Sequence, residues 1–279
     1  MRGALAEHWP EYLAEALGLG LFMVSACLFG TLLFHPGSMM ARVVPDGLTR
    51  RLLMGIAMGS TAMALIYSPL GRRSGAHLNP ATTLTFWRLG KVAGPDAAWY
   101  ALAQVLGGLA GMLAAAACLG RALADPSVRY VATVPGPGGL SAAFLAEALI
   151  TCLLMSVVLT VSNTRRLSTY TGLCAGVLVA LYITVESPVS GMSMNPARSL
   201  ASAVPSGTWD VLWIYCVAPP LGMLLAAELY VRRHGLPRVF CAKLNHEGEG
   251  RCIFRCRFRE MQAAEPTTTP AAAVARPAA

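Results

Sequence analysis

The stretch SGAHLNPATTL at residues 74–84 returns 116 residues later as SGMSMNPARSL, residues 190–200. Each copy lies within a long apolar region that an Asn-Pro pair ought to interrupt. Asn is among the best helix N-caps, and Pro at the first helical position forfeits no hydrogen bond. NPATTLTFWRLG and NPARSLASAV therefore each read as the start of a short helix. At about ten residues and ~1.5 Å per residue, such a helix covers only half of a bilayer's hydrocarbon core. Irregular backbone is tolerated at that depth only where it is buried in protein or lines a watery cavity. A lone Asn-Pro is most simply a turn, whereas two copies at matched positions predict a pair of half-helices that meet.

The surrounding sequence has a membrane composition. Of 279 residues, 55% are hydrophobic and 13% charged, about half the charged share of a soluble domain. Apolar runs long enough to span a bilayer lie near residues 13–34, 52–70, 97–120, 141–162, 170–188 and 211–231. The first is too long for a signal peptide and lacks a cleavage site, so it is expected to stay. The net charge of +8 does not point to nucleic acid, because the basic residues sit in connections and in the tail after Tyr230. With both termini placed in the cytoplasm, sixteen Lys and Arg fall inside and six outside, as the positive-inside rule requires.

A second pair of matched stretches extends the repeat. YLAEALGLGLFM (12–23) answers FLAEALITCLLM (144–155), aligning Glu15 with Glu147. Residues 1–120 and 141–232 thus form two repeats, joined by a Pro/Gly-rich linker at 121–140 and followed by a basic, Cys-containing tail at 233–262. Each repeat holds three spans, an odd number, so the second enters the membrane from the opposite face. The expected fold is an all-α membrane protein with six transmembrane helices and two re-entrant half-helices in an inverted 3+3 repeat. The two boxes then approach one midplane site from opposite sides. Both half-helices would point their positive dipole ends at the centre, raising the energy of any cation there. The Asn79 and Asn195 amides would face the lumen and donate to a passing oxygen.

The paired boxes Asn79-Pro80-Ala81 and Asn195-Pro196-Ala197, Arg198 directly after the second, the Ala-Glu openings at Glu15 and Glu147, and six spans resemble the aquaporin or major intrinsic protein family over about residues 10–232. The resemblance implies a homotetramer with one pore per subunit and passive conduction of water or small neutral solutes. Carried over position by position, it implies a selectivity filter of Met58 or Gly59, Ile183, Met192 and Arg198. Ile183 stands where water-selective members have a histidine, and span two offers no aromatic residue at either candidate position. That filter is less polar than a strict water channel's and suits glycerol, urea or ammonia besides water. Ser199 stands where glycerol facilitators carry Asp, which keeps water the first permeant. Arg198 brings a permanent charge and five donors to the outer mouth.

Charges inside spans need partners. Glu15 and Glu147 are expected to accept hydrogen bonds from the loops leading into the boxes. Glu186 either lines the outer vestibule or braces the loop before Ser190, and His77 either lines the inner vestibule or is a satisfied structural histidine. GGLAG at 107–111, with Gly55 and Gly59, suits close helix crossings. A proton-coupled secondary transporter shares the inverted-repeat architecture, with Glu15 and Glu147 as the paired acids available for coupling. No nucleophile and base pair suggests an enzyme.

Five cysteines lie singly in the spans and read as small buried hydrophobes. In the tail, Cys241, His246, Cys252 and Cys256 fall within sixteen residues, where cytoplasmic conditions disfavour disulfides. Three readings stand: a tetrahedral zinc set, redox-sensing thiols among arginines, or reduced thiols in a basic anchor resting on anionic membrane lipids. No other cofactor is expected. Residues 263–279 lack the apolar content to fold. The chain is expected in the cell's inner or plasma membrane.

Overall fold

The computed structural model describes residues 1–246 and 251–263, and among them the regular structure is helical. The first repeat comprises α1 (Arg2–Phe34), α2 (Met39–Val43), α3 (Gly47–Tyr67), α4 (Pro69–Ser74), α5 (Pro80–Arg88) and α6 (Gly94–Leu119). After α7 (Arg121–Ala124), the second comprises α8 (Gly139–Ser162), α9 (Thr171–Val185), α10 (Ser187–Ser190), α11 (Pro196–Ser206) and α12 (Leu212–His234), and α13 (Phe258–Ala263) closes the described tail. The short helices α5 and α11 begin at Pro80 and Pro196, with Asn79 and Asn195 as side-chain caps.

Five of these segments are long and apolar enough to cross a membrane: α1, α6, α8, residues 168–185 around α9, and α12. The sixth expected span appears as α3. Its 21 residues reach about 31 Å, enough for a hydrocarbon core. Arg50 and Arg51 near its start, and Gly55, Gly59, Ser60 and Thr61 along it, make it the least apolar of the set. Packing against α9 covers part of that face. Elsewhere large apolar side chains line the outside at helical spacing, among them Leu13, Leu17 and Leu21 of α1 and Leu221, Leu225 and Leu229 of α12. An apolar exterior of this extent fits hydrocarbon rather than water.

The pairing of helices repeats. α1 packs along α6 and α8 along α12, while α3 meets α9 between the halves. The crossings are close enough to need glycine. A Cβ on Gly107 would stand 2.0 Å from the Ala16 carbonyl oxygen, and one on Gly59 2.4 Å from that of Gly176. α5 ends beside the last turns of α12, where Arg88 pairs with Glu228 at 3.3 Å. α11 instead leads into the first turn of α12, so the two half-helices start together and run apart, as an inverted repeat requires.

After α12 the chain folds back onto the bundle. Phe240 N donates to Asn163 Oδ1 (2.7 Å), Leu244 N to the Gly75 carbonyl (3.0 Å) and Arg255 N to that of Lys91 (3.0 Å). Arg251 pairs with Glu7 of α1 at 2.9 Å, placing the tail and the first helix on one side. The unfolded C-terminus expected from residue 263 lies outside the described residues, except for Ala263 at the end of α13.

Candidate functional site

Each box is delivered by a loop whose backbone the sequence strains at the same two places. Ala76 and Leu78, three and one residues before Asn79, have φ of 57° and 48°. Met192 and Met194, at the same distances before Asn195, have 51° and 55°. Left-handed backbone at a non-glycine residue costs on the order of 1–3 kcal/mol, so something must hold it. The holders are the two buried acids. Glu15 accepts from His77 N (3.0 Å) and Leu78 N (2.6 Å). Glu147 accepts from Ser193 N (2.6 Å) and Met194 N (2.8 Å). Both carboxylates are fully enclosed, and each satisfies two backbone donors that the loop conformation withdraws from regular structure.

At the centre the halves are cross-linked by hydrogen bonds. Asn79 Oδ1 caps Ala81 N (2.9 Å) while its Nδ2 donates to the Met194 carbonyl (2.7 Å). Asn195 Oδ1 caps Ala197 N (3.1 Å) while its Nδ2 donates to the Leu78 carbonyl (2.7 Å). The expectation that both amides face the lumen is corrected here: one amide hydrogen of each Asn ties its half-helix to the opposite loop, leaving the other for the cavity.

Both asparagines line a cavity of about 530 Å³. Its wall takes one stripe at helical spacing from α1 (Leu19, Phe22, Ala26, Gly30, Phe34), another from α3 (Arg51, Met54, Met58, Ala62, Ile66) and a third from α9 and its end (Ala175, Val179, Ile183, Ser187). The α3 stripe covers about 22 Å, so the cavity follows the bundle axis from the Arg51 end to the end carrying the tail. Met58, Ile183, Met192 and Arg198 all stand on this wall. Gly59 does not: it faces the Gly176 carbonyl of α9, so of the two span-two candidates Met58 is the one on the wall. Among the described residues, the Arg198 guanidinium makes only a long contact of 3.5 Å to Ser202 Oγ, leaving donors turned to the cavity.

His77 is a wall residue but a committed one. Its Nδ1 meets Thr83 Oγ1 at 3.0 Å and its Nε2 the Ala242 carbonyl at 2.9 Å. Its ring stacks on Phe86 and on Phe254 of the tail, so this histidine stands on the wall with both ring nitrogens engaged. Glu186 is buried beside Ser190 and is absent from the wall. Neither of its oxygens finds a donor among the described residues, since the Ser190 hydroxyl is given to Glu147 (2.7 Å). Of the two readings, the structure therefore places Glu186 beside the Ser190 loop and off the cavity wall.

The structure adds residues that the motif reading passed over. Tyr100 of α6 donates to the Ser74 carbonyl (2.7 Å), and Tyr215 of α12 to the Ser190 carbonyl (2.5 Å). These tyrosines stand 21 and 20 residues after their box asparagines, a match that extending the repeat into the third span of each half would have found. Gln104 Nε2 supplies Glu15 with a further donor at 2.7 Å. The 121–140 segment is more than a linker: Ser127, Val128, Val131 and Pro135 shape one cavity mouth, and Thr133 bonds Ser199 at 2.7 Å.

At the other end the four tail ligand candidates converge. One ligand atom from each of Cys241, His246, Cys252 and Cys256 lies within 4.8 Å of all the others. Burial opposes charge on His246, but hydrogen bonds to the Cys252 and Cys256 sulfurs outweigh it and push the imidazole up to about 9. The Cys241 and Cys252 thiols and that imidazole hold the Cys256 thiol well below its ordinary range.

Comparison with known proteins agrees with this geometry. Residues 4–230 match the family model of the major intrinsic proteins. The chain is 38% identical over 184 residues to the probable aquaporin AqpM of Archaeoglobus fulgidus, covering 63% of this chain and 74% of that protein. It is 32% identical over 224 residues to a probable NIP-type aquaporin of Nicotiana alata, covering 79% and 76%. The fold resembles the X-ray structure of the aquaglyceroporin from Plasmodium falciparum, with a TM-score of 0.64 and 23% identity, covering 80% of this chain and 95% of that one. With the family match spanning both boxes and all six long helices, the chain belongs to the major intrinsic protein family.

Proposed function

We propose that the chain is a passive channel for water and small neutral solutes, glycerol, urea and ammonia among them, that excludes protons and ions. The observation that carries this reading is the meeting of Asn79 and Asn195 in the middle of the cavity, each capping a half-helix and donating to the opposite loop. Two half-helix N-termini set positive potential at the narrow centre. The remaining amide hydrogens then orient an oxygen-bearing permeant in single file. Met58, Ile183, Met192 and Arg198 form the filter. Three apolar walls and one fork of donors suit a neutral molecule with an apolar backbone and a polar edge, and the fixed guanidinium charge repels cations.

The relatives named above as aquaporins and as an aquaglyceroporin support water first, with small alcohols behind it. The chain works as a homotetramer in the inner or plasma membrane, with both termini and the tail cytoplasmic. A coupled transporter is disfavoured by the acids themselves. Glu15 and Glu147 are spent holding the loops, and protonating either would release backbone donors rather than carry a proton across.

The test is stopped-flow light scattering on proteoliposomes of the full chain. Raised osmotic water permeability with a low activation energy, unaffected by a proton gradient, is expected. Shrinkage no faster than in empty vesicles, or uptake that saturates and follows the gradient, overturns the proposal.

A further inference from the structure

Residues beyond 230 lie outside the family match, yet the described ones among them, 231–246 and 251–263, reach the mouth of the cavity and carry a ligand set of their own. We propose that Cys241, His246, Cys252 and Cys256 bind one zinc ion, and that this ion staples the tail across the cytoplasmic mouth.

The donor set is three sulfurs and one imidazole, a combination zinc takes in closed tetrahedral structural sites. Zinc–sulfur bonds of about 2.3 Å place two sulfurs of a tetrahedron ~3.8 Å apart. The Cys241 and Cys252 sulfurs stand 3.6 Å apart, near that value and well beyond a disulfide bond. His246 Nε2 points into the cluster, 3.0 Å from the Cys256 sulfur. The widest separation, 4.8 Å, needs to close by about 1 Å for tetrahedral coordination.

The shell around the ligands suits thiolates. Lys243 N donates to the Cys241 sulfur at 3.5 Å and Phe258 N to that of Cys256 at 3.4 Å. In both cases the donor comes from two residues further on, an arrangement that fixes a thiolate and offsets its charge. The Phe258 ring lies flat on His246, 4.3 Å between centroids, which orients the imidazole. Lys243 is kept away from the sulfurs, its Nζ donating to the Arg72 and Arg251 carbonyls (2.6 and 3.0 Å).

What the ion would hold in place is the mouth. Between the first and second ligands, Ala242 O accepts from His77 Nε2 at 2.9 Å, and Leu244 reaches the cavity wall. Between the third and fourth, Phe254 stacks on His77 at 5.3 Å. The segment already docks through Val239, Ala242, Leu244 and Phe254, buried against the bundle, and metal binding would add its own free energy to that docking.

The full chain, purified anaerobically in detergent through a tag other than polyhistidine, should carry one zinc per chain by mass spectrometry of the metals. Exchange with cobalt should give the thiolate charge-transfer and d–d bands of a tetrahedral site. Cys252→Ser and Cys256→Ser should each weaken metal binding by more than the roughly 10- to 100-fold that losing an outer-shell partner costs. Cys27→Ser, inside α1, should keep the metal. Stripping the wild-type protein with a chelator should speed tryptic cleavage at Arg251 and Arg255, and zinc should reverse it.

Three results overturn the proposal: less than a tenth of a zinc per chain with no cobalt spectrum, equal metal content in wild type and Cys252→Ser, or a tail as trypsin-resistant without metal as with it. A Cys241–Cys252 disulfide in the isolated protein counts against it and for redox sensing. These readouts need no flux, so their failure leaves the channel proposal standing and the reverse also holds.

Discussion

The two loops that carry the boxes share a scaffold and differ in what surrounds it. In both, a glutamate holds two backbone donors, a tyrosine hydroxyl anchors the carbonyl of the opening serine, and left-handed backbone recurs three and one residues before the asparagine. Beyond that frame they part. His77 of the first loop bonds Thr83 and is roofed by the tail, whereas its counterpart Ser193 bonds Ser199, which reaches on to Thr133 of the 121–140 segment. Thr82 faces the cavity as a small hydroxyl, and its counterpart Arg198 faces it as a charge. The frame therefore sets where the half-helices begin, and the substituents on it set what each mouth admits. One loop docks the tail, and the other turns a fixed charge toward the cavity.

If the frame is common to both halves, Glu15→Ala and Glu147→Ala must fail alike. Each leaves two buried N–H groups without an acceptor, at ~1–3 kcal/mol apiece, so a loss of about 2–6 kcal/mol is expected. Thermal aggregation in detergent measures it, and one variant surviving near the wild-type temperature would break the equivalence. Next in size is the contrast across the α3 surface. Gly59→Ala pushes a methyl into the Gly176 carbonyl and should cost about 1–3 kcal/mol by overpacking, with relative solute permeabilities unchanged. Met58→Ala also gives up packing of a buried side chain, at about 2–5 kcal/mol, but it should in addition raise glycerol flux relative to water. Selectivity moving with Gly59 instead would reverse the wall assignment.

The filter can be sharpened with Ile183→His, which adds a hydrogen-bonding edge and narrows the mouth. The ratio of glycerol to water permeability should fall by about tenfold, equivalent to ~1.4 kcal/mol in relative barrier height. Unchanged ratios in stopped-flow traces would remove Ile183 from the filter. The smallest effects belong to Tyr100→Phe and Tyr215→Phe, each losing one hydrogen bond worth roughly 0.5–1.5 kcal/mol. Their melting shifts should agree with one another, and a shift confined to Tyr215→Phe would show that the tail supports the first loop independently.

Much of this was legible because it depends on local chemistry. Asn-Pro announces a capped helix start wherever it stands, and the Glu15/Glu147 match predicted the acceptors of both loops. What escaped depends on distance in the chain. The crossed bonds of Asn79 and Asn195 join residues 115 and 117 positions apart, so nothing near either Asn signals that its amide is half spent. Met58 and Gly59 are adjacent and both fit a helix; only the position of α9 decides which faces inward. Glu186 looked like a mouth residue because it follows the Ile183 stripe. α10 begins one residue later, at Ser187, and that residue carries the stripe to the wall instead. The 121–140 segment reads as a spacer from its Pro and Gly content, yet the same residues allow the turns that bring Thr133 to Ser199.

The crossed asparagines also bear on how such a chain can change. The atoms that meet the permeant at the centre are the same ones that keep the two halves in register, so a substitution there risks assembly before it can alter transport. Ile183 carries no comparable obligation, whereas Met58 is buried and Met192 sits in left-handed backbone, so Ile183 is the wall position most open to exchange with the joint intact. New permeants are thus open to this architecture chiefly through its rim, while its middle stays fixed.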